Sequence, residues 1–295
     1  MTTGSDTQSS VVLLGTKGGP GIQPGSPMPT STLVQMGGRT LLVDAGLGAT
    51  RAICDAGLPL TAIDAVLITH MHSDHVMELG PLLHTAWTTG LRQQLPIFGP
   101  PGLEDYWEGF LNAMNYDIAL REVDEGRPDF HSLFTIGHIT DERPIDLDGV
   151  LVTALRNIHP PVADSFALKF QHGADTLVLS GDTEPMPEMI PFARGADLLV
   201  HEAMLPEGIQ AIVDRMGYDD ATRLIDHILR SHSPAAEVGR IAAAAGVGAL
   251  ALNHFVPGHE PGITEADWRA AVTPHYDGPL HVGHDGMVIA FGEDA

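Results

Sequence analysis

The sequence has one cysteine, Cys54, so no disulfide framework can form within the chain. That fits a reducing, cytoplasmic compartment, although a secreted protein without disulfides would look the same. Basic residues are scarce. Lys and Arg total 15 against 38 Asp and Glu, a formal charge of −23. Nucleic-acid binders usually carry a basic face, so the balance argues against a nucleic-acid partner without excluding a local basic patch. Long apolar runs are missing too. None approaches the roughly 20 residues that a spanning helix needs, so no membrane partner is expected. Residues Met1 to Ser10 are polar and lack a basic stretch before an apolar one. They read as a frayed tail and not as a signal peptide.

What the chain does contain is apolar sequence and histidine. Hydrophobic residues make up 43% of 295 positions, enough for a large core, and there are 16 histidines. Residues 11–15 read as a first strand, followed by a Gly/Pro-rich loop over 16–29. The run from Gly15 to Gly21 lacks the residue order of a phosphate-binding loop. Strands are predicted at 31–35, 39–43, 63–68 and 95–98, and helices at 49–56, 76–88 and 103–120. The stretch 122–143 reads as acidic and irregular, and Cys54 as a small core residue.

The second half repeats this order of events. A strand over 150–155 ends near His159, and a hairpin spans 165–179. A strand over 197–200 precedes His201, and one over 249–252 precedes His254. Helices are predicted near 219–229, 234–245 and 264–272, the last with a capping box from Thr264 and Asp267. Strands at 280–282 and 287–291 close the chain. With no linker between the halves, the expectation is one α/β domain over 11–295. Its four layers would be two sheets face to face with helices outside. Polar residues and histidines recur just after strand ends, where ligand-binding positions cluster.

The densest chemistry is Thr69-His70-Met71-His72-Ser73-Asp74-His75, directly after a hydrophobic strand. His70 and His72 can reach one metal from a tight loop, and Asp74 and His75 can turn toward a second. Imidazole with some carboxylate suits zinc, with iron or manganese as alternatives. A lone histidine would be read as a structural residue, but three imidazoles and a carboxylate in this order would not.

His-x-His-x-Asp-His after a strand resembles the signature of the metallo-β-lactamase superfamily. The resemblance implies a four-layer αββα sandwich with a one- or two-metal site at one edge of the sheets, and the ligand set read here is that of two divalent ions. It also implies further ligands, and the chain matches each: His159 as the third histidine at the first metal, Asp182 as the bridging aspartate, His254 as the last histidine at the second. Asp44 resembles an aspartate that orients a ligand histidine. A hydroxide shared by the two ions would be the nucleophile, with Asp74 counted among the catalytic groups.

A second resemblance concerns the leaving group. Leu198-Leu-Val-His-Glu-Ala203 and His232-Ser-Pro-Ala-Ala-Glu-Val238 look like the ribonuclease Z and arylsulfatase-like branch. There, a Glu and a His form a paired general acid. Carried over, Glu202 orients His232, which protonates the leaving oxygen, and His201 packs or assists. Ribonuclease Z proteins that grip tRNA insert a long arm between the third histidine and the bridging aspartate. Only 22 residues separate His159 from Asp182 here.

These readings converge on a dinuclear hydrolase of small esters: phosphodiester, phosphotriester, sulfate ester, carboxylic ester or lactone. A tRNA 3′ endonuclease and a non-catalytic metal-binding module are the alternatives, and a homodimer is consistent with the resemblance. The aromatics Trp87, Tyr106, Trp107, Phe110 and Tyr116 lie in the insertion after the first metal loop, where the segment at about 101–145 would serve as a lid or dimer insertion if it is not ordinary packing. His131, His138, His172 and His275 read as surface residues and His227 as exposed or half-buried. His284, in Gly283-His-Asp-Gly-Met287, is a further candidate to face the site.

Overall fold

Each long strand alternates between two buried faces, and that alternation dictates the layering. In a computed structural model describing residues 8–217 and 220–292, the first sheet is built from six strands in chain order. These are β1 (Ser10–Gly15), β2 (Ser31–Met36), β3 (Arg39–Val43), β4 (Ala65–Leu67), β5 (Leu95–Gly99) and β6 (Phe134–His138). The second contains β7 (Ile145–Leu147), β8 (Val150–Arg156), β9 (Phe166–His172), β10 (Asp175–Leu179), β11 (Leu198–Met204), β12 (Ala249–Val256) and β13 (Leu280–Val282). Strand β14 (Met287–Ala290) returns to pair with β1, so each sheet has seven strands.

Successive side chains of a strand point to opposite faces. On β1, Val11 and Leu13 join Val34, Leu41 and Leu67 in the middle layer, against Leu168, Phe170 and Leu177 of the second sheet. Val12 and Leu14 point the other way, with Leu33, Leu42 and Val66, toward the outer helices α1 (Ala49–Asp55), α3 (Leu79–Thr88) and α4 (Leu103–Asp124). A short helix, α2 (Ser73–Val76), precedes α3. The outward face of the second sheet carries Ala167, Val178, Leu199 and Leu250. It is covered by α5 (Met189–Phe192), α8 (Ala235–Ala245) and α9 (Glu265–Val272). Burial on both faces explains why these strands read as continuous apolar runs. The chain thus folds as the expected four-layer α/β sandwich, and the two sheets share one core.

Several local expectations are corrected. The first strand begins at Ser10, and buried Ser9 donates its hydroxyl to Asp175 (2.6 Å), so residues 9–10 belong to the fold. Of the rest of the expected tail, Gln8 is exposed, and residues 1–7 lie outside the described residues. Helix α4 runs on to Asp124, and the stretch read as irregular also contains β6, a parallel edge strand held by β5. Its side chains lack a clean alternation, so backbone pairing decides its structure. The eight-residue helix α6 (Ile209–Met216) was not anticipated, and α7 spans Thr222–Ser231. A helix as short as α6 is marginal alone. Here Ile209 and Ile212 pack with Met204, Ile228 and Val256 in a small separate cluster. Cys54 is exposed on α1.

Among the described residues no helix is long and apolar enough to cross a membrane. The middle layer should dominate stability, since both sheets lose contacts when it is hollowed. Phe170→Ala, at a fully buried position, is expected to cost about 3–5 kcal/mol. A thermal or urea midpoint within error of the parent would contradict this placement of the core.

Candidate metal centre

The chain delivers these histidines and carboxylates from strand ends, the short helix α2 and a bulge in β12, and hydrogen bonds tie those segments together. After β4, Thr69 donates its backbone N–H to Asp44 (2.8 Å). After β10, Gly181 turns with φ 57°, and an added Cβ there would lie 2.5 Å from the Phe166 carbonyl oxygen. Only glycine makes that turn into Asp182 without strain. Asn157, before His159, donates from Nδ2 to the carbonyls of Ser180 (2.8 Å) and Asp182 (3.0 Å), joining two of the loops. On β12, Asn253 pairs with Glu202 and Phe255 with Ala203, leaving His254 as the bulged residue at φ 43°. The bulge turns its ring away from the strand's alternation, at a backbone cost typical of functional positions.

The seven residues meet. His70, His72, His159 and Asp182 form one group and Asp74, His75 and His254 another, each with ligand-type atoms within 4.8 Å of one another. Asp182 Oδ2 is the hub. It lies 3.1 Å from His254 Nε2, 3.4 Å from His75 Nε2, 3.7 Å from His70 Nε2 and 3.9 Å from His159 Nε2. Asp74 Oδ2 lies 3.4 Å from His254 Nε2 and accepts the Gly19 N–H at 2.7 Å.

Outer partners hold the rings. His75 Nδ1 is 2.7 Å from Asp44 Oδ2, and His159 Nδ1 donates to the Ser231 carbonyl at 2.8 Å. The Thr69 hydroxyl, 2.9 Å from Asp44 Oδ2, also meets His70 Nδ1 at 3.1 Å. Asp44 therefore stands where the resemblance places it, against the His75 ring. The inward atoms His70 Nε2, His75 Nε2 and Asp182 Oδ1 are buried without a hydrogen-bond partner among the described residues. Leaving such atoms unmatched is costly, and their convergence fits divalent cations held by nitrogen and oxygen.

The electrostatics agree. Burial pushes His70 well below its ordinary pKa, leaving it neutral. Burial also opposes charge on His254, but the Asp182 carboxylate outweighs it and raises the group to about 10. His75 is raised in the same way, by Asp182, Asp44 and Asp74 against burial. Burial pushes Asp182 up, yet His254 and His75 hold it well below the usual carboxylate range. Protons and divalent ions thus compete for the same nitrogens.

Glu202 and His232 stand beside the second group. His232 Nδ1 is 3.1 Å from Glu202 Oε2 and 3.2 Å from Oε1, while Glu202 Oε1 accepts the Thr183 N–H at 2.7 Å. The His232 ring stacks on His254 with centroids 5.4 Å apart. Burial lowers the His232 pKa, but Glu202 outweighs it and the net shift is upward. His201 is fully buried, its Nδ1 on the Glu202 carbonyl (2.8 Å), and takes no place in the cavity.

A cavity of about 470 Å³ opens over both groups, lined by His72, Asp74, Asp182, His232 and His254. Its other walls are the Gly-rich loop at Gly18 to Gly21 and an aliphatic face of α6 and α7. The segment 101–145 contributes nothing to this lining. Trp87 is fully buried against Phe130, and Phe110 packs beside Trp107, so these aromatics are core. Tyr116 is exposed on the outer face of α4, with Leu120 and Val123. His284 is exposed and away from the cavity. Sequence reasoning missed Lys17 and His227 as cavity residues, and Asp285 as a tie. Asp285 accepts the backbone N–H groups of Thr16 (3.0 Å) and Met28 (2.7 Å), closing the Gly-rich loop. Its place in the Gly-x-Asp-Gly-Met run was the available signal.

Comparison with known proteins is consistent with this geometry. The family model described as "Anti-Pycsar protein Apyc1" matches residues 12–220. A ribonuclease Z from Mycobacterium sp. (strain KMS) is 34% identical over 283 residues, covering 93% of each chain. Among solved structures, the metallo-β-lactamase fold protein YhfI from Bacillus subtilis aligns with a TM-score of 0.70 at 24% identity, over 97% of this chain and 100% of that one. The short form of human tRNase Z aligns at 0.66 and 19%, over 96% and 99%. The Zn(2+)-bound PqqB of Methylobacterium extorquens aligns at 0.65 and 17%, over 95% and 99%. At those identities the structures show the shared fold.

Two outcomes follow from the ligand geometry. Since His254 keeps its proton up to a pH of about 10, zinc must displace it at neutral pH. Affinity therefore falls as pH falls, and loading chelator-stripped protein near pH 7 should release about one proton or more per chain. Calorimetry in buffers of different ionisation enthalpy measures this, and uptake without proton release contradicts it. Asp44→Ala frees the outer nitrogen of His75 and should weaken zinc binding about 10–100-fold. An unchanged affinity in chelator competition would refute the role given to Asp44.

Proposed function

This chain belongs to the ribonuclease Z branch of the metallo-β-lactamase superfamily, and to the family described as anti-Pycsar protein Apyc1, and from that premise we propose that it is a dinuclear hydrolase of small anionic esters, phosphodiesters first. That it is a metallo-hydrolase follows from the family. The small substrate and the bond are our reading. One observation carries it: His232, held by Glu202, lines a cavity of about 470 Å³ directly over the two clusters. The volume suits a compact ligand.

Zinc at the two clusters, or manganese or iron(II) in its place, would supply Lewis acidity to activate water and polarise the ester. The first ion would be held by His70, His72, His159 and Asp182, the second by Asp74, His75, His254 and Asp182. The chain's own residues do the rest. Gly19 orients Asp74 through its N–H. Glu202 fixes the His232 ring through Nδ1 and favours its protonated form. The other ring nitrogen, Nε2, is left to donate a proton to the departing oxygen. An aliphatic wall of Ile212, Leu224 and Ile228 would take the apolar part of the substrate.

A nucleic-acid substrate is the second reading, favoured by the relatives named ribonuclease Z. The short connection from His159 to Asp182 does not separate this chain from the mycobacterial relative, which is covered over 93% of its length. The charge of −23 still argues for a smaller ligand. Precursor tRNA cleaved at low salt as efficiently as any small ester would decide for the nucleic acid.

A screen of p-nitrophenyl phosphodiesters, phosphotriesters, sulfates and carboxylic esters, with chelator controls, tests the main reading. Metal-dependent turnover should be strongest on the diester, and none on any of them would sink the proposal. His232→Ala should keep its zinc and lose about 10²–10⁴ in kcat on diesters with alkyl leaving groups. The loss should be smaller with p-nitrophenolate, which departs without protonation. Equal losses on both would remove His232 as the proton donor.

A further inference from the structure

The chain has only two lysines, Lys17 and Lys169. Lys169 lies over the Phe192 ring and donates to that residue's carbonyl, away from the cavity. Lys17 stands on the cavity wall. Its backbone is pinned between two segments, bridging to Pro29 and to Phe255 of β12. Its stem is pressed against Gly258, where an added Cβ would lie 2.2 Å from Lys17 Cγ. Two hydrogen bonds, to the carbonyls of Gly18 (3.1 Å) and Gly19 (2.8 Å), hold the ammonium. Gly19 in turn donates its N–H to Asp74, so the cation is placed one residue from the metal cluster.

Charge pairing distinguishes this lysine. Arg215, the cavity's other permanent cation, is engaged by Glu260 at 2.8 Å. Lys17 has no carboxylate within ion-pair distance among the described residues; burial disfavours its charge, and Asp74 favours the protonated form only from farther off. In a chain of −23, this half-buried, immobilised ammonium is thus left without a direct counter-charge. Carbonyl oxygens satisfy two of its donors but do not neutralise it. Such a cation recovers its desolvation cost when an oxyanion enters beside it.

We propose that Lys17 is a substrate-binding residue that pairs with a negatively charged oxygen of the ester. The site would thereby select anionic esters, phosphodiesters or sulfates, over phosphotriesters, carboxylic esters and lactones. This rests on the hydrolase reading above and narrows its substrate class. Neither composition nor motif points to the residue, because its role comes from where the Gly-rich loop is folded.

Zinc-loaded wild type, Lys17→Met and Lys17→Gln should be compared for inorganic phosphate binding by calorimetry, and for KM and kcat on bis(p-nitrophenyl) phosphate. Both variants should weaken phosphate about tenfold or more and raise KM more than they lower kcat, with zinc content unchanged. Glutamine can still donate to the Gly18 and Gly19 carbonyls, so a merely structural lysine would be rescued by it. Rescue by glutamine, unchanged phosphate affinity, or no measurable phosphate binding by wild type would each overturn the proposal. If Lys17→Met does not fold, Lys17→Gln alone decides. Wild type that binds phosphate through Lys17 but hydrolyses no diester leaves this inference standing and removes the proposed reaction.

Discussion

The Asp182 carboxylate is buried with one oxygen between 3.1 and 3.9 Å from nitrogens of His254, His75, His70 and His159. A charge so far from water is tolerated only when cations or donors surround it. The four histidines come from two loops, one short helix and a bulged strand, attached to both sheets. The sandwich must therefore hold those strand ends in register to within a fraction of an ångström. The ties found there serve that demand. Asn157 joins the loops after β8 and β10, Ser231 orients His159 from the end of α7, and Asp44 grips both Thr69 and His75.

The same constraint couples the proposed proton donor to the candidate metal ligands. Ser231 donates its hydroxyl to the Pro160 carbonyl and lends its own carbonyl to His159; the next residue is His232. A shift of the α7 C-terminus would thus move a ligand and the proposed general acid together. On the opposite wall, Asp285 closes the loop that carries Lys17 and Gly19, and Gly19 reaches Asp74. Gly18 packs so close to His254 that a Cβ there would lie 2.8 Å from the ring. The two walls are held by different elements, and each is tied directly to ligand-type residues, His159 on one side and Asp74 and His254 on the other.

Legibility in the sequence followed the range of the interactions. The motif from His70 to His75 is local, since its four ligand-type residues share one loop and one helical turn. It could be read without a fold. His159, Asp182 and His254 were legible because the resemblance calls for ligands after later strands, and each of the three stands next to an apolar run. The outer layers were harder. Helix α6 is amphipathic but only eight residues long, strand β6 lacks alternation, and both depend on neighbours distant in sequence. Cys54 was misplaced because a seven-residue helix beside a sheet exposes one face, and composition does not say which.

By itself, the sequence determined the layer order and the inventory of ligand-type side chains. Both follow from alternation along strands and from residues next to strand ends. Only the tertiary structure decided the rest. It showed that the aromatics of 87–116 pack or face outward and do not cover the cavity. It also brought Lys17, Gly19 and Asp285 to one loop, 55 residues from Asp74 at Gly19 and 269 from Thr16 at Asp285. The physical reason is separation. A side chain's partner across the sandwich is set by how two sheets stack, and neither strand alone encodes that stacking.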